Sequence, residues 1–308
     1  MPMPWPSGSS AGGEARLEMN EPLHYRNNVW LASYPKSGNT WFRLIWGYLF
    51  EVDERPAGAS FISPARSPQP AQTLSMVDEL ALDPRRFRSG EIDSFRAQFE
   101  LRQVSEPSLP ILRKTHESYH CDAQGHPLFP AEATLATILI VRDPRDVACS
   151  WAHHFGQTLD RAVVDICTPD LTWKSNPMSG LGQQTVGSWS EHFRSWKDQS
   201  GVVVQLIRYE DLLAEPIAVL SRVFAGIGLD VSMARIEQAI AATQFDKLQR
   251  REAEVGFHEA SIRAPSGFFR RGQAGGWRDD LSEANVMRIE EAHHDAMTEL
   301  GYQPMVGI

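Results

Sequence analysis

At 308 residues, 42% hydrophobic and 22% charged, the chain has ordinary globular composition and room for one large α/β domain or two small ones. A formal net charge of −9 excludes a general nucleic-acid binder, which needs a basic surface, but leaves room for a local basic pocket that takes one anion. Cys121, Cys149 and Cys167 show neither zinc spacing nor a paired framework, and no run approaches the roughly 18 apolar residues of a membrane span, so a cytoplasmic protein without a membrane span is expected.

Residues 1–24, rich in Pro, Gly and Ser, lack the basic start and apolar centre of a secretory signal. They read as a disordered tail, with the folded domain over 25–308. "NVWLASY" at 28–34 reads as a strand entering "PKSGNT". Trp41, Leu44, Ile45, Tyr48 and Leu49 then form an apolar helical face. Residues 52–109, rich in Pro, Ser and Arg with weak periodicity, read as loops and short helices. "PILRKTHE" at 110–117 reads as a short strand whose polar end emerges at a sheet edge. In "ATLATILIVRDPRD" the apolar strand stops at Arg142, Asp143 suits a helix N-cap and Pro144 the first helical position.

Helical spacing returns at Trp189, Phe193 and Trp196. "GVVVQLIRYEDL" gives a buried strand with a polar exit, and "VFAGIGL" closes the next helix at glycine. Strands that are apolar throughout and alternate with helices predict an α/β fold, a single domain with a central parallel sheet flanked by helices. Ligands of such folds sit at the carboxyl ends of the strands. Lys36, His116, Arg142 and Tyr209 all fall at strand exits.

Three stretches carry the chemistry. In "YPKSGNTW" a helix begins after a glycine turn, which offers free N–H groups and a partial positive charge. Gly38 permits close approach of a ligand, Ser37, Asn39 and Thr40 can donate hydrogen bonds, and Lys36 adds a full charge. Lysine precedes glycine here, the reverse of the triphosphate loop G-x-x-x-x-G-K-[ST]. A plain turn with a solvated lysine remains the alternative for this stretch alone. In "VRDPRDVACSW", Arg142 at the end of a buried strand calls for an anion, either a ligand or a carboxylate such as Asp146. Ser150 follows eight residues later, about two helical turns on. In "GFFRRGQAGGWRDDL", at 267–281, Arg270 and Arg271 beside glycines form a mobile loop able to fold over a phosphate, anchored by Phe268, Phe269 and Trp277. An exposed basic loop is the alternative reading of that stretch.

In this order and spacing, "YPKSGNTW", "RKTH", "VRDPRDVACSW", "RYEDL" and "FFRRGQAGGWR" resemble the cytosolic-type sulfotransferases that use PAPS, 3′-phosphoadenosine 5′-phosphosulfate. The resemblance spans about residues 28 to 280 and implies a phosphate-binding turn like that of P-loop proteins. It implies that Lys36, Ser37, Gly38, Asn39 and Thr40 hold the 5′-phosphosulfate end, with Lys36 on the bridging oxygen, and that Trp41 packs near the adenine. Arg142, Ser150, Arg270, Arg271 and Gly272 would bind the 3′-phosphate. Tyr209 and the stretch Thr243 to Phe245 match adenine contacts, and Lys114 and His116 match the catalytic Lys-x-His. Asn39 stands where Thr is common and Arg271 where Lys is usual. Only Val286 and Glu290 represent the C-terminal dimer motif, so a dimer of that type is not expected and the oligomeric state stays open.

The implied reaction transfers a sulfuryl group from PAPS, which leaves as PAP, to a hydroxyl, or less readily an amine, of a small-molecule, lipid or sugar acceptor. Charge grows on the leaving phosphate as the S–O bond breaks, so Lys36 would stabilise the transition state. His116, with an ordinary pKa of about 6.5, suits a general base near neutrality. No metal is expected, since the first loop lacks the hydroxyl that holds Mg²⁺ in triphosphate enzymes. A phosphate-loop small-molecule kinase and a catalytically silent nucleotide binder are the competing readings. The acceptor would meet residues 52–109 and 156–186, which carry Phe61, Met76, Phe87, Phe95, Trp173 and Met178, with Phe155 at the edge of the second. His120, His153 and His154 lie outside the matched pattern, as structural residues or acceptor contacts.

Overall fold

The computed structural model describes residues 28–50, 91–102, 110–173, 183–257 and 259–305. The expected N-terminal tail, Phe61, Met76, Phe87 and Met178 lie outside the described residues. In chain order, β1 (Asn28–Ser33) leads into α1 (Asn39–Phe50), and α2 (Glu91–Arg102) precedes β2 (Ile111–Thr115). Next come β3 (Thr134–Val141), α3 (Pro144–Phe155) and α4 (Leu159–Cys167). A short antiparallel ribbon, β4 (Thr172–Trp173) and β5 (Gln184–Thr185), precedes α5 (Trp189–Asp198). The strand β6 (Val204–Arg208) runs into α6 (Tyr209–Ala214), α7 (Pro216–Gly226), α8 (Met233–Ala242) and α9 (Phe245–Val255). Finally α10 (Trp277–Asp280) and α11 (Glu283–Glu299) follow.

The strands β2, β1, β3 and β6 lie side by side in that order, all parallel. From β1 the chain first adds a strand on one side and then one on the other, so the connections diverge between β1 and β3. Such a switch point opens a crevice at the carboxyl ends of the strands. Side chains along β1 alternate between two cores. Val29 and Leu31 join α1, α7 and α8, whereas Trp30 and Ala32 join α3, α4, α5 and α11. Both faces are therefore covered, as the unbroken apolar strands predicted. Ile138, Leu139 and Ile140 on β3 are wholly buried, each contributing ~1.5–3 kcal/mol by leaving water.

Local signals set the helix starts. The Asp143 side chain accepts a hydrogen bond from the Arg145 backbone N–H, with Pro144 in the first turn of α3. Trp189, Phe193 and Trp196 of α5 are buried, and Ser188 and Glu191 form a capping box at its start. The twelve-residue α2 is longer than the short pieces expected for this region. Its buried positions include Arg96 and Glu100, which pair with Glu117 and Arg113, so its inward face is charged and apolar periodicity could not reveal it.

On α11, Val286 and Glu290 are buried, and Glu290 pairs with Arg145 at 2.7 Å and accepts the Met305 N–H at 3.0 Å. The two matches to a dimer motif thus face the chain's own interior. Among the described residues, no helix is long and apolar enough to cross a membrane.

Candidate active site

The turn after β1 is closed by the Ser37 N–H on the Tyr34 carbonyl at 3.3 Å, with Pro35 and Lys36 at its centre. Lys36 adopts φ 72°, a left-handed conformation that suits glycine, and its Nζ stands 4.3 Å from the Phe268 ring centroid at the pocket wall. Gly38, at φ 99°, lies flat under Tyr209, and a Cβ there would collide with the ring. Asn39 and Thr40 open α1, where backbone N–H groups have no carbonyl a turn earlier to bond.

The hydroxyl and amide side chains of this loop depart from the sequence expectation. Ser37 is fully buried, does not line the pocket, and its Oγ has no hydrogen-bond partner among the described residues. Asn39 turns inward, donating to Ser33 Oγ at 3.1 Å and accepting from Arg43 Nε at 2.7 Å. Thr40 Oγ1 donates to Glu259 at 3.0 Å. Of this turn, Pro35, Lys36, Gly38, Asn39 and Thr40 line the pocket, with the Asn39 amide already bonded to Ser33 and Arg43.

Register brings the second motif to the first. Ala32 pairs with Thr115, so His116 emerges beside Ser33, 83 residues away in sequence. Strand side chains alternate, which puts Lys114 and His116 on one face. His116 Nδ1 lies 2.8 Å from the Ser33 carbonyl oxygen. A carbonyl only accepts, so Nδ1 carries the proton and Nε2 keeps its lone pair.

The strands β3 and β6 end level, with Val141 opposite Arg208, and this places Arg142 4.7 Å from the Tyr209 ring centroid. Arg142 donates to the Lys36 carbonyl at 3.2 Å and the Gln273 carbonyl at 2.9 Å, while its buried Nε has no partner among the described residues. Asp146 is not its hydrogen-bonding partner. That carboxylate accepts the Gly275 and Trp277 N–H groups at 2.6 and 3.0 Å. Together with Glu252, which accepts the Phe268 and Phe269 N–H groups, it pins the loop that the glycines suggested was mobile. Phe269 and Trp277 are buried as anchors. Arg270 and Arg271 both bond Asp280 at 2.7 Å and line the pocket with Ser150. Gly272, at φ 60°, leaves no room for a Cβ against Phe245.

These groups share one pocket of ≈ 640 Å³, inside the ~300–1,000 Å³ span of small-molecule sites. Lys36, Thr40, Lys114 and His116 line it together with Arg142, Ser150, Arg270, Arg271 and Gly272. Trp41, Tyr209, Thr243 and Phe245 also line it. The Thr243 hydroxyl is spent on the Ala239 carbonyl at 2.8 Å, and the Thr243 carbonyl accepts the Trp41 indole N–H at 3.1 Å. Thr243 thus fixes Trp41 rather than presenting its own hydroxyl. Past His116 the wall is aromatic, with Trp173 6.2 Å from the imidazole and Phe155 beside it. His153 and His154 also reach the pocket, whereas His120 bonds the Ser118 carbonyl and, like Phe95, stays out of it. Glu259 and Arg43 gave no sequence signal. Glu259 sits in an irregular stretch outside any motif, yet its carboxylate lines the pocket beside Thr40 and Lys114.

Burial pushes the Lys36 ammonium down to about 7; Glu259 opposes the shift, and Lys114 and Arg142 add to it. Burial and Arg43 push Lys114 down to about 8, against Glu259. For His116, burial and then Lys114 hold the imidazole well below its ordinary 6.5, lower than the sequence suggested. It is neutral, in its base form, across the neutral range.

A profile of the sulfotransferase domain matches residues 26–301. The chain is similar to flavonol 3-sulfotransferase of Flaveria bidentis, 22% identical over 277 residues that cover 86% of this chain and 80% of that one. It is also similar to sulfotransferase 1A1 of Rattus norvegicus, 21% identical, with 90% and 87% covered. Among solved structures, mouse sulfotransferase SULT7A1 complexed with PAP shares the fold at a TM-score of 0.58 and 20% identity, over 90% of this chain and 86% of that one.

Proposed function

The chain belongs to the sulfotransferase domain family, and we propose that it moves a sulfuryl group from PAPS to a hydroxyl of a small organic acceptor, with Lys36, Lys114 and His116 as its catalytic residues. The observation that carries this reading is the make-up of one pocket: two lysines, three arginines and several aromatic rings line it together. Solved relatives are complexed with PAP, a nucleotide with a phosphate at each end of its sugar. The residues present fit such a ligand. Gly38 and Gly272 keep the backbone open under Tyr209 and Phe245, and the buried Arg142 Nε is an unspent donor.

When bound, PAPS supplies an activated sulfuryl group whose leaving group is a phosphate. Lys36 supports the charge that grows on that phosphate, and the N-terminus of α1 contributes its dipole. Lys114 adds charge from the face of β2 that also bears His116. His116 takes the acceptor's proton at Nε2, while its bond to the Ser33 carbonyl holds the ring in that tautomer. Arg142, Ser150, Arg270 and Arg271 bind the 3′-phosphate, and Trp41, Tyr209 and Phe245 the adenine. The acceptor approaches past Phe155 and Trp173. Neither a phosphate-loop kinase nor a silent nucleotide binder accounts for Lys114 and His116 sharing one face beside the turn.

Calorimetric titration with PAP, adenosine 5′-phosphate and ATP tests the class. PAP binds much more tightly than either of the others, and Arg142→Ala lowers the preference for PAP over adenosine 5′-phosphate by about 10–100-fold, the scale of a charged hydrogen bond. Equal affinity of the unaltered protein for the two nucleotides overturns the 3′-phosphate site.

PAP binding also depends on pH. A bound anion raises the pKa of Lys36 and Lys114 above their free values of about 7 and about 8. Affinity is therefore complete below about 7 and falls as pH rises towards 9, by up to about tenfold per pH unit for each lysine that must take up a proton. Phosphate groups, with a second pKa of about 6, are already fully charged there. Affinity that stays constant from about pH 7 to 9, with no proton uptake in buffers of different ionisation heat, overturns the role of these lysines.

A further inference from the structure

Glu259 comes from the irregular stretch between α9 and α10, and its carboxylate stands among the groups that would meet the donor's 5′ end. It accepts from Thr40 Oγ1 at 3.0 Å and from Arg43 Nη2 at 2.6 and 2.7 Å, and it lies 3.9 Å from Lys114 Nζ. Thr40 is the second residue of α1, at the positive end of the helix dipole. Burial pushes this carboxyl up, but Lys114 and Arg43 hold it down at about 2, so it is charged at any working pH. A hydroxyl donor, a lysine and a helix N-terminus around an anion form the arrangement expected for a phosphate or sulfate oxygen. Here a side chain of the same chain supplies that anion.

Its position makes it displaceable. The Glu259 side chain is 20% exposed, so a ligand in the pocket can reach it. Arg43, 5% exposed, also donates to Asn39 Oδ1 at 2.7 Å and to Thr40 Oγ1 at 3.2 Å, so part of its bonding survives if the carboxylate swings away. Phe257, two residues before Glu259, packs against Phe268 and Phe269.

We propose that Glu259 is a specificity-determining residue of the cradle: its carboxylate competes with the 5′ anion of the donor for Thr40 and Lys114. This rests on reading the cradle as the 5′ end of a PAPS site. The competition keeps the cationic cluster compensated between turnovers. A nucleotide must bring a strong 5′ anion, anchored through its 3′-phosphate, to take the place of Glu259. After transfer, the returning carboxylate weakens the hold on the 5′-phosphate of PAP.

Two ligands separate this from a general effect on the pocket: PAP, and adenosine 3′-phosphate, which lacks a 5′ anion. In calorimetric titrations Glu259→Gln tightens PAP binding by about tenfold or more, the scale of a lost charged competitor, and leaves adenosine 3′-phosphate within about twofold. Weaker or unchanged PAP binding, or an equal change for both ligands, overturns the proposal. Should Glu259→Gln fail to fold because Arg43 loses its charged partner, the double variant Arg43→Gln, Glu259→Gln removes the buried pair as a unit and is judged by the same outcomes. Failure of the unaltered protein to bind PAP defeats the donor reading instead, whatever the variant does.

Discussion

Lys36→Ala lowers turnover at saturating PAPS by about 10²–10³-fold, the scale seen when one preorganised charge or donor is taken from a transition state. The effect falls on turnover because the charge Lys36 meets is larger in the transition state than in bound donor. The fold is little disturbed. Alanine at φ 72° carries the same backbone strain as lysine, and the ammonium that is removed stands over the Phe268 ring at the pocket wall. The melting temperature of the variant, followed by circular dichroism, therefore stays close to that of the unaltered protein. Near-normal turnover with saturating donor removes Lys36 from the mechanism.

His116→Ala lowers turnover by about 10²–10⁴-fold, the usual contribution of a positioned general base, and leaves PAP affinity nearly unchanged. His116→Asn is the sharper variant. Its side-chain amide can still donate to the Ser33 carbonyl, as Nδ1 does at 2.8 Å, but it has no basic nitrogen in place of Nε2. Both variants lose turnover together if the base matters, whereas Asn rescues it if His116 serves only to tie β2 to β1. Because burial and Lys114 hold the imidazole well below 6.5, base catalysis in the unaltered protein is complete at neutral pH and is lost only as pH falls well below 6.5. A screen of hydroxyl acceptors with labelled PAPS supplies the assay. Full activity of His116→Asn, or an acid limb centred near neutrality, sinks the assignment.

Periodicity and end signals made most of the framework legible. The strand at 134–141, the cap at Asp143 and the helix through Trp189, Phe193 and Trp196 follow from local rules that tertiary contacts then reinforce. The helix at 91–102 escaped because its inward face carries Arg96 and Glu100, whose burial depends on partners 21 and 13 residues along the chain. The motifs likewise marked which stretches meet, but not what each side chain does there. Ser37 is sealed in, Asn39 braces Arg43, and the Thr243 hydroxyl serves its own helix.

Layer architecture, family and the stretches that line the pocket were legible in the chain, because hydrophobic period, capping and motif order are local properties. That Arg142 bonds backbone carbonyls rather than Asp146, that His116 carries its proton on Nδ1, and that Glu259 shares the cradle with Thr40 and Lys114 emerged only from the folded chain. Each of these depends on residues brought within about 4 Å from strand ends and loops far apart in the chain, where electrostatics and hydrogen bonding act and sequence spacing carries no signal.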